Sequence, residues 1–141
     1  MTIEDKKYEL SAYRIKQAEE SLDEARFLLS GRKSPRSIIN RAYYAMFYAV
    51  LALLVYEQYS SSKHSGVLSY FNKQFIKECI FPESIGRSIN KAFELRQRGD
   101  YRENIDLSYE QVEPFITEAE IFIRTVKNYL QQNLWLPGSP S

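Results

Sequence analysis

The sequence predicts an all-α protein, an up-and-down bundle of four principal helices with a short additional helix. Three observations carry that prediction. Only 5 Gly and 5 Pro occur in 141 residues. Three of those ten fall in the last five positions (PGSPS), so long stretches lack the breakers that punctuate short strands. Two long segments, near the two ends of the chain, carry apolar residues at alternating steps of three and four, the signature of a helix face. Between them, Ala42 to Tyr56 form an apolar and aromatic run of about fifteen residues, which suits a helix buried nearly all round.

The first segment runs from about Lys6 to Ser30, with Ile15, Ala18, Leu22, Ala25 and Leu29 on one stripe. Gly31 is its expected stop. The second opens at Ser34-Pro35, a cap followed by Pro at the first helical position, and reaches about Tyr56. A linker (EQYSSSKHSG) follows, and a cap at Ser61 or Ser62 starts a third helix through about Lys77. Its apolar positions are Val67, Leu68, Phe71, Phe75 and Ile76. Phe81-Pro82-Glu83 punctuates. The fourth helix spans about Glu83 to Arg98, with Ile85, Ile89, Ala92, Phe93 and Arg96 on one side and Gly99 as its end. Residues 100 to 107 read as a polar loop. The last helix, about Ser108 to Gln132, carries Val112, Ile116, Ala119, Ile123, Val126 and Leu130. Its stripe matches that of the first helix, so the two are expected as antiparallel neighbours. The whole chain reads as a single domain, with a core of about 6–132 and a tail over 133–141.

Composition excludes several functions. One Cys and one His fall short of the four ligands of a structural zinc site. Cys79 cannot form a disulfide within the chain and is expected as a buried or half-buried thiol. No Gly-rich phosphate loop, paired-Cys motif or serine-nucleophile motif occurs, so no cofactor and no metal are expected. Every histidine-based mechanism must pass through His64. The N-terminus (MTIEDKKYEL) has no apolar signal core, and the apolar run falls short of the roughly 20 residues a spanning helix needs. The expectation is a cytoplasmic protein with no membrane partner.

Net charge is +1, but it is unevenly spread. Residues 34–104 carry 10 Lys/Arg against 6 Asp/Glu, and residues 105–141 carry 2 against 5. Either the acidic last helix docks on a basic neighbour, or the middle helices present a phosphate-binding face. Tyrosine is abundant, 11 against 8 Phe and 1 Trp, and it suits interfaces and clefts because it joins an apolar ring to a polar tip.

Three stretches could carry chemistry. Asn40-Arg41-Ala42-Tyr43-Tyr44-Ala45-Met46-Phe47 places a charge one turn into an apolar helix. Arg41 is there either a snorkelling side chain or a guanidinium that binds an anion between tyrosines. Ser62-Lys63-His64-Ser65-Gly66 is either a plain helix start or a phosphate cradle of free N–H groups, Lys63 and His64. Arg96-Gln97-Arg98-Gly99-Asp100-Tyr101 continues an apolar face through Arg96, which either points inward and pairs with Asp100 or an acidic residue elsewhere, or makes a local salt bridge beside a Gly cap.

Taken together, these stretches resemble the HEPN domain family, in its small standalone prokaryotic members. The resemblance rests on Asn40 to Phe47, on Lys63 to Gly66 and on the Arg-x-x-x-Asp-Tyr run from Arg96 to Tyr101, and it covers roughly residues 6 to 132. It implies a helical bundle that commonly forms homodimers, often paired with a small nucleotidyltransferase, sometimes as a toxin–antitoxin module. It also implies nucleotide or RNA binding. Arg41, Tyr44, Lys63, His64, Arg96, Asp100 and Tyr101 would line the cleft. The arginines would hold phosphate, Tyr44 and Tyr101 would stack or hydrogen-bond, and Asp100 would orient an arginine. The ribonuclease branch of the family carries His four to six residues after an Arg. No His follows Arg96, so the leading expectation is a binding module rather than an enzyme. Two alternatives stand beside it: a metal-independent ribonuclease using His64 and Arg96, and a purely structural interaction protein.

Overall fold

The computed structural model describes residues 1–101 and 107–135, and the side chains of Asp100 and Tyr101 lie outside the described ones. The described residues are helical and contain no strand. The elements are α1 (Ile3–Ser30), α2 (Pro35–Leu54), α3 (His64–Phe71) continued by a π-helical turn (Asn72–Ile76), α4 (Glu83–Tyr101), α5 (Tyr109–Val112) and α6 (Pro114–Asn133).

Helix α1 starts earlier than its apolar stripe suggests. Thr2 accepts from the Asp5 N–H, and the Asp5 carboxylate accepts from the Thr2 N–H, a reciprocal cap that satisfies two end donors. Ile15, Ala18, Leu22 and Ala25 are buried as expected, together with Ser11 and Ser21. Gly31 does cap α1, but with φ −85°. The left-handed residue is Arg32, at φ 55°.

Helix α2 begins as predicted, with Ser34 capping and Pro35 first. At 20 residues it is long and apolar enough to cross a bilayer by length and composition, more than the run from Ala42 alone indicates. Here it is the core helix: Ile38, Ile39, Ala42, Tyr43, Met46, Val50 and Leu53 are fully buried. It packs against α1, α4, α5 and α6. Two links fix its direction against α1. The Ser11 hydroxyl donates to the Ala52 carbonyl at 2.9 Å, and Arg41 pairs with Glu24 at 3.2 Å. Rising numbers on one helix meet falling numbers on the other, so the two are antiparallel.

The same holds for α1 and α6, as the matching stripes predicted. Glu19 pairs with Lys127 at 3.0 Å and Arg26 with Glu120 at 3.2 Å. The pairs show that α6 does not simply set its acids on a basic neighbour, because one of its two bridges to α1 is made by its own Lys127.

Four further features differ from the sequence reading. Helix α3 begins at His64, with Lys63 as its capping residue and no side-chain cap. Ser61 serves the turn before it, accepting the Lys63 N–H at 3.1 Å. The segment after Phe71 widens into the π-helical turn, where the Asn72 amide donates to the Leu68 carbonyl. Helix α4 runs through Gly99 to Tyr101. A Cβ at Gly99 would stand 2.9 Å from Leu107 Cδ1 and 3.3 Å from Arg36 Cγ, so this glycine permits a close approach rather than a stop. The last predicted helix is two. Ser108 and Gln111 form a capping box for α5, and Pro114, which has no N–H to continue the ladder, starts α6 afresh. Cys79 is exposed, not buried, and sits at φ 62°.

Candidate functional site

The site is built on the first half of α2, the first turn of α3 and the last part of α4. Helix α2 places Tyr43 at its buried side and Tyr44 at a half-buried position one residue on. Their rings meet edge to face, with centroids 5.3 Å apart. Phe47 follows one turn later, and the His64 ring stacks on it at 4.1 Å and 16°. The Tyr43 hydroxyl lies 2.9 Å from His64 Nδ1, with the direction of the bond set by the imidazole tautomer.

Helix α4 brings in Phe93 and Arg96, one turn apart. Phe93 packs on the Tyr43 ring at 5.6 Å. The Arg96 guanidinium carbon lies 5.3 Å from the Tyr43 centroid and 5.2 Å from the Tyr44 centroid, within reach of the attraction between a cation and a ring face. Its Nη2 donates to the Tyr44 hydroxyl at 3.5 Å. The expected inward turn of Arg96 is observed, and its described contacts are tyrosines.

An open cleft of about 640 Å³ lies over this cluster, lined by Lys63, His64, Ser65, Phe93, Arg96 and Gln97. Among the described residues its charged lining is Lys63 and Arg96, and Arg96 acts on the titrating groups. Burial lowers the His64 pKa below its ordinary 6.5, and the Arg96 charge lowers it further. Burial pushes the Tyr43 hydroxyl well up, against the pull of Arg96 and with a further push from Tyr44. At neutral pH the cleft therefore holds a neutral imidazole beside a protonated phenol and a fixed guanidinium. Such a set can bind an anion, and the imidazole can accept a proton.

Arg41 does not line the cleft. It packs on the Tyr44 ring, with its guanidinium carbon 5.0 Å from that ring centroid. Its Nη1 donates to Glu24 at 3.2 Å, and its Nε and Nη2 donate to the Asn40 side chain at 3.2 and 3.0 Å. Since Arg41 and Arg96 share one ring, their guanidinium carbons are at most about 10 Å apart. Of the residues expected to line the site, Tyr44, His64 and Arg96 form one cluster. Lys63 borders it from an exposed position, and Arg41 flanks it. The side chains of Asp100 and Tyr101 fall outside the described ones, although the backbone of both continues α4.

Sequence reasoning missed five members: Tyr43, Phe47, Ser65, Phe93 and Gln97. Two signals were available. Phe47 is three residues from Tyr44, and Phe93 is three from Arg96, so each shares a helix face with a residue already singled out.

Comparison with known proteins shows the family. The HEPN domain family model matches residues 6–129. A "UPF0332 protein" of Thermotoga maritima is 38% identical over 127 residues, covering 90% of this chain and 96% of that protein. Two proteins of Methanocaldococcus jannaschii carry the name "Putative toxin". One is 36% identical over 124 residues, covering 88% of this chain and 84% of that protein. The other is 37% identical over 120 residues, covering 85% and 88%. The three motifs on α2, α3 and α4 all fall inside the matched residues, and by that match the chain belongs to the HEPN domain family.

Proposed function

We propose that this protein is the HEPN component of a toxin–antitoxin-like pair and binds the phosphate of a nucleotide or RNA in the cleft over His64. The four long helices would form an up-and-down bundle. The protein would act in the cytoplasm as a homodimer, with a small nucleotidyltransferase as its partner protein. The toxin names of two relatives support the first part of this reading. One observation carries the second: the Arg96 guanidinium, packed on Tyr43 and Tyr44, lines the same cleft as Lys63 and a neutral His64.

Each member has a role in that reading. Arg96 supplies a positive charge already oriented by two rings, so little side-chain entropy is lost on binding. Lys63 adds a mobile cation at the rim. Tyr44 offers a half-exposed ring for base stacking. The test is a titration with a fluorescent nucleotide and a labelled RNA. Arg96→Ala should weaken both strongly and Arg41→Ala should weaken RNA more than nucleotide. Equal affinity in the wild type and both variants would remove the site.

The position of His64 favours a second reading, ribonuclease activity. Its imidazole is neutral at pH 7, borders the cleft beside Arg96, and lies within hydrogen-bond reach of Tyr43. In that reading His64 takes the proton of a 2′-hydroxyl, the 2′-oxygen attacks the adjacent phosphorus as its bond to the 5′-oxygen breaks, the leaving 5′-oxygen takes a proton from water, and Arg96 stabilises the negative charge on the phosphoryl oxygens. It predicts RNA cleavage in the presence of a chelator, lost in His64→Ala. An inert wild type on a broad RNA panel would leave binding alone.

A further inference from the structure

Helix α3 has eight residues and opens at Lys63 without a side-chain cap, and a helix this short is marginal unless its neighbours fix it. Val67, Leu68 and Phe71 bury one side of it. Gly66 and Tyr70 lie one turn apart on another face, and the linker of residues 55–63 folds back over that face. The Tyr59 ring stacks on the Tyr70 ring, with centroids 4.2 Å apart and 10° between planes. The Tyr59 hydroxyl donates to the Gly66 carbonyl at 3.1 Å. Tyr70 in turn donates to the Glu57 carboxylate at 2.6 Å, a short charge-assisted bond that raises the Tyr70 pKa. Ser61 Oγ accepts the Lys63 N–H at 3.1 Å. Glu57, Tyr59 and Ser61 thus tie the linker to the start of α3 as a strap.

Gly66 leaves the space for that strap. A Cβ there would stand 2.5 Å from Ser61 Oγ and 3.1 Å from both Ser61 Cβ and the Tyr59 hydroxyl. Rotating the Ser61 side chain would relieve only the first of these contacts. The glycine therefore permits a close approach of the linker to the helix, two residues beyond His64. The His64 ring must reach a narrow place, stacked on Phe47 at 4.1 Å and 2.9 Å from the Tyr43 hydroxyl. Helix α2 supplies those partners, but the course of the chain into α3 decides whether the imidazole meets them.

We propose that Tyr59, seated on Gly66 and Tyr70, is a positioning residue for His64. The strap sets the first turn of α3, and with it the imidazole over Phe47 and beside Arg96. A functional group is useful only when its neighbours hold it to within about 0.5 Å, and the strap does this from outside the cleft. The inference rests on the reading of the cleft as the functional site and adds the residues that pre-organise it.

The test reads His64 itself. It is the only histidine, so its ring protons can be followed by proton NMR across a pH titration. Among the described residues, the charged and titratable groups around the ring are Tyr43 and Tyr44 on α2, Arg96 on α4 and the adjoining Lys63, and the variants leave all four in place. Tyr59→Ala removes the stack and the hydrogen bond. Gly66→Ala displaces the strap by volume, and because alanine is the better helix former, its effect comes through the strap. In both, the His64 pKa should rise toward the ordinary 6.5, and the ring-current shift from Phe47 should shrink. Leu22→Ala, a core truncation on α1, is the control for general destabilisation and should move neither signal. Thermal melting checks that each variant stays folded. If Gly66→Ala does not fold, Tyr59→Ala decides alone. Unchanged His64 signals in a folded Tyr59→Ala would overturn the proposal, and so would an equal change in Leu22→Ala. Absence of nucleotide and RNA binding in the wild type would remove the proposed function, while the NMR result still decides the role of Tyr59.

Discussion

The Tyr43 hydroxyl and His64 Nδ1 lie 2.9 Å apart, a contact that ties the buried face of α2 to the first residue of α3. It is the join on which the cleft depends. Tyr43 is fully buried and its hydroxyl stays protonated, so it holds the imidazole at a fixed place beside the Arg96 charge. His64 is also the only histidine in the chain, so its titration can be followed directly by proton NMR without an assignment variant.

Its pKa should lie below the ordinary 6.5 because burial and, second, Arg96 both oppose the charged form. Arg96→Ala should raise it only part of the way back, since the larger cause remains. The unfolded chain binds this proton more tightly than the folded one. Stability from this group is therefore present above about pH 6.5 and is lost as pH falls through the folded value. The Tm should drop across that acidic window, and less steeply in His64→Gln. A His64 pKa at or above 6.5 would contradict the burial and charge described here.

Arg96 is a planar cation set against two rings, so lysine should not replace it. Arg96→Lys keeps the charge but loses the flat face that stacks on Tyr43 and Tyr44. Its effect on nucleotide or RNA affinity should approach that of Arg96→Ala, at about tenfold or more. Titration of both variants against one labelled RNA checks this. Full rescue by lysine would mean that only net charge matters in the cleft.

Most of the fold was legible because helices announce their buried face by spacing. Ile15, Ala18, Leu22 and Ala25 on α1, and Val112 through Leu130 near the other end, are buried as their steps predict. The misjudged boundaries have local causes that stripe counting does not weigh. Pro114 removes one N–H and splits a stripe that is continuous in sequence. Gly99 looks like a stop and serves as a contact. The inward turn of Arg96 was legible because it continues the face of Ile85, Ile89 and Ala92. The separation of Arg41 from the cleft was not, because Arg41 and Tyr44 share one side of α2 and only the packing of α1 shows that Glu24 holds Arg41. The Tyr43–His64 contact spans 21 residues, and nothing local in either motif points to it.

Gly86 gives a stability prediction that runs against helix propensity. In an exposed helix interior, Gly→Ala gains about 1 kcal/mol. Here a Cβ would stand 2.9 Å from Asn72 Oδ1 and 3.1 Å from Ile76 Cγ1. Asn72 is not free to yield, because its amide donates to the Leu68 carbonyl at 2.8 Å and to Asn90 at 3.1 Å. Gly86→Ala should therefore destabilise the protein, by about 1–2 kcal/mol in chemical denaturation. A gain in stability would show that the π-helical turn shifts at little cost.

Ser11 and Trp135 offer a test at the opposite end of the molecule. Ser11 is fully buried, donates to the Ala52 carbonyl on α2 and accepts the Trp135 indole N–H at 2.9 Å. One hydroxyl thus links α1, α2 and the residues after α6, while Tyr8 closes on the indole edge to face at 5.5 Å. Ser11→Ala removes both bonds and leaves a carbonyl and an indole N–H without their partner, which costs about 1–3 kcal/mol. Because Trp135 is the single tryptophan, its emission reports the same event. Ser11→Ala should lower the denaturation midpoint and shift the emission to the red as the indole loses its seat. Ser11→Thr, whose hydroxyl can make both bonds but whose methyl must fit a closed site, should recover the emission more fully than the stability. An unchanged spectrum in Ser11→Ala would mean that packing by Tyr8, not the hydrogen bond, holds the indole in place.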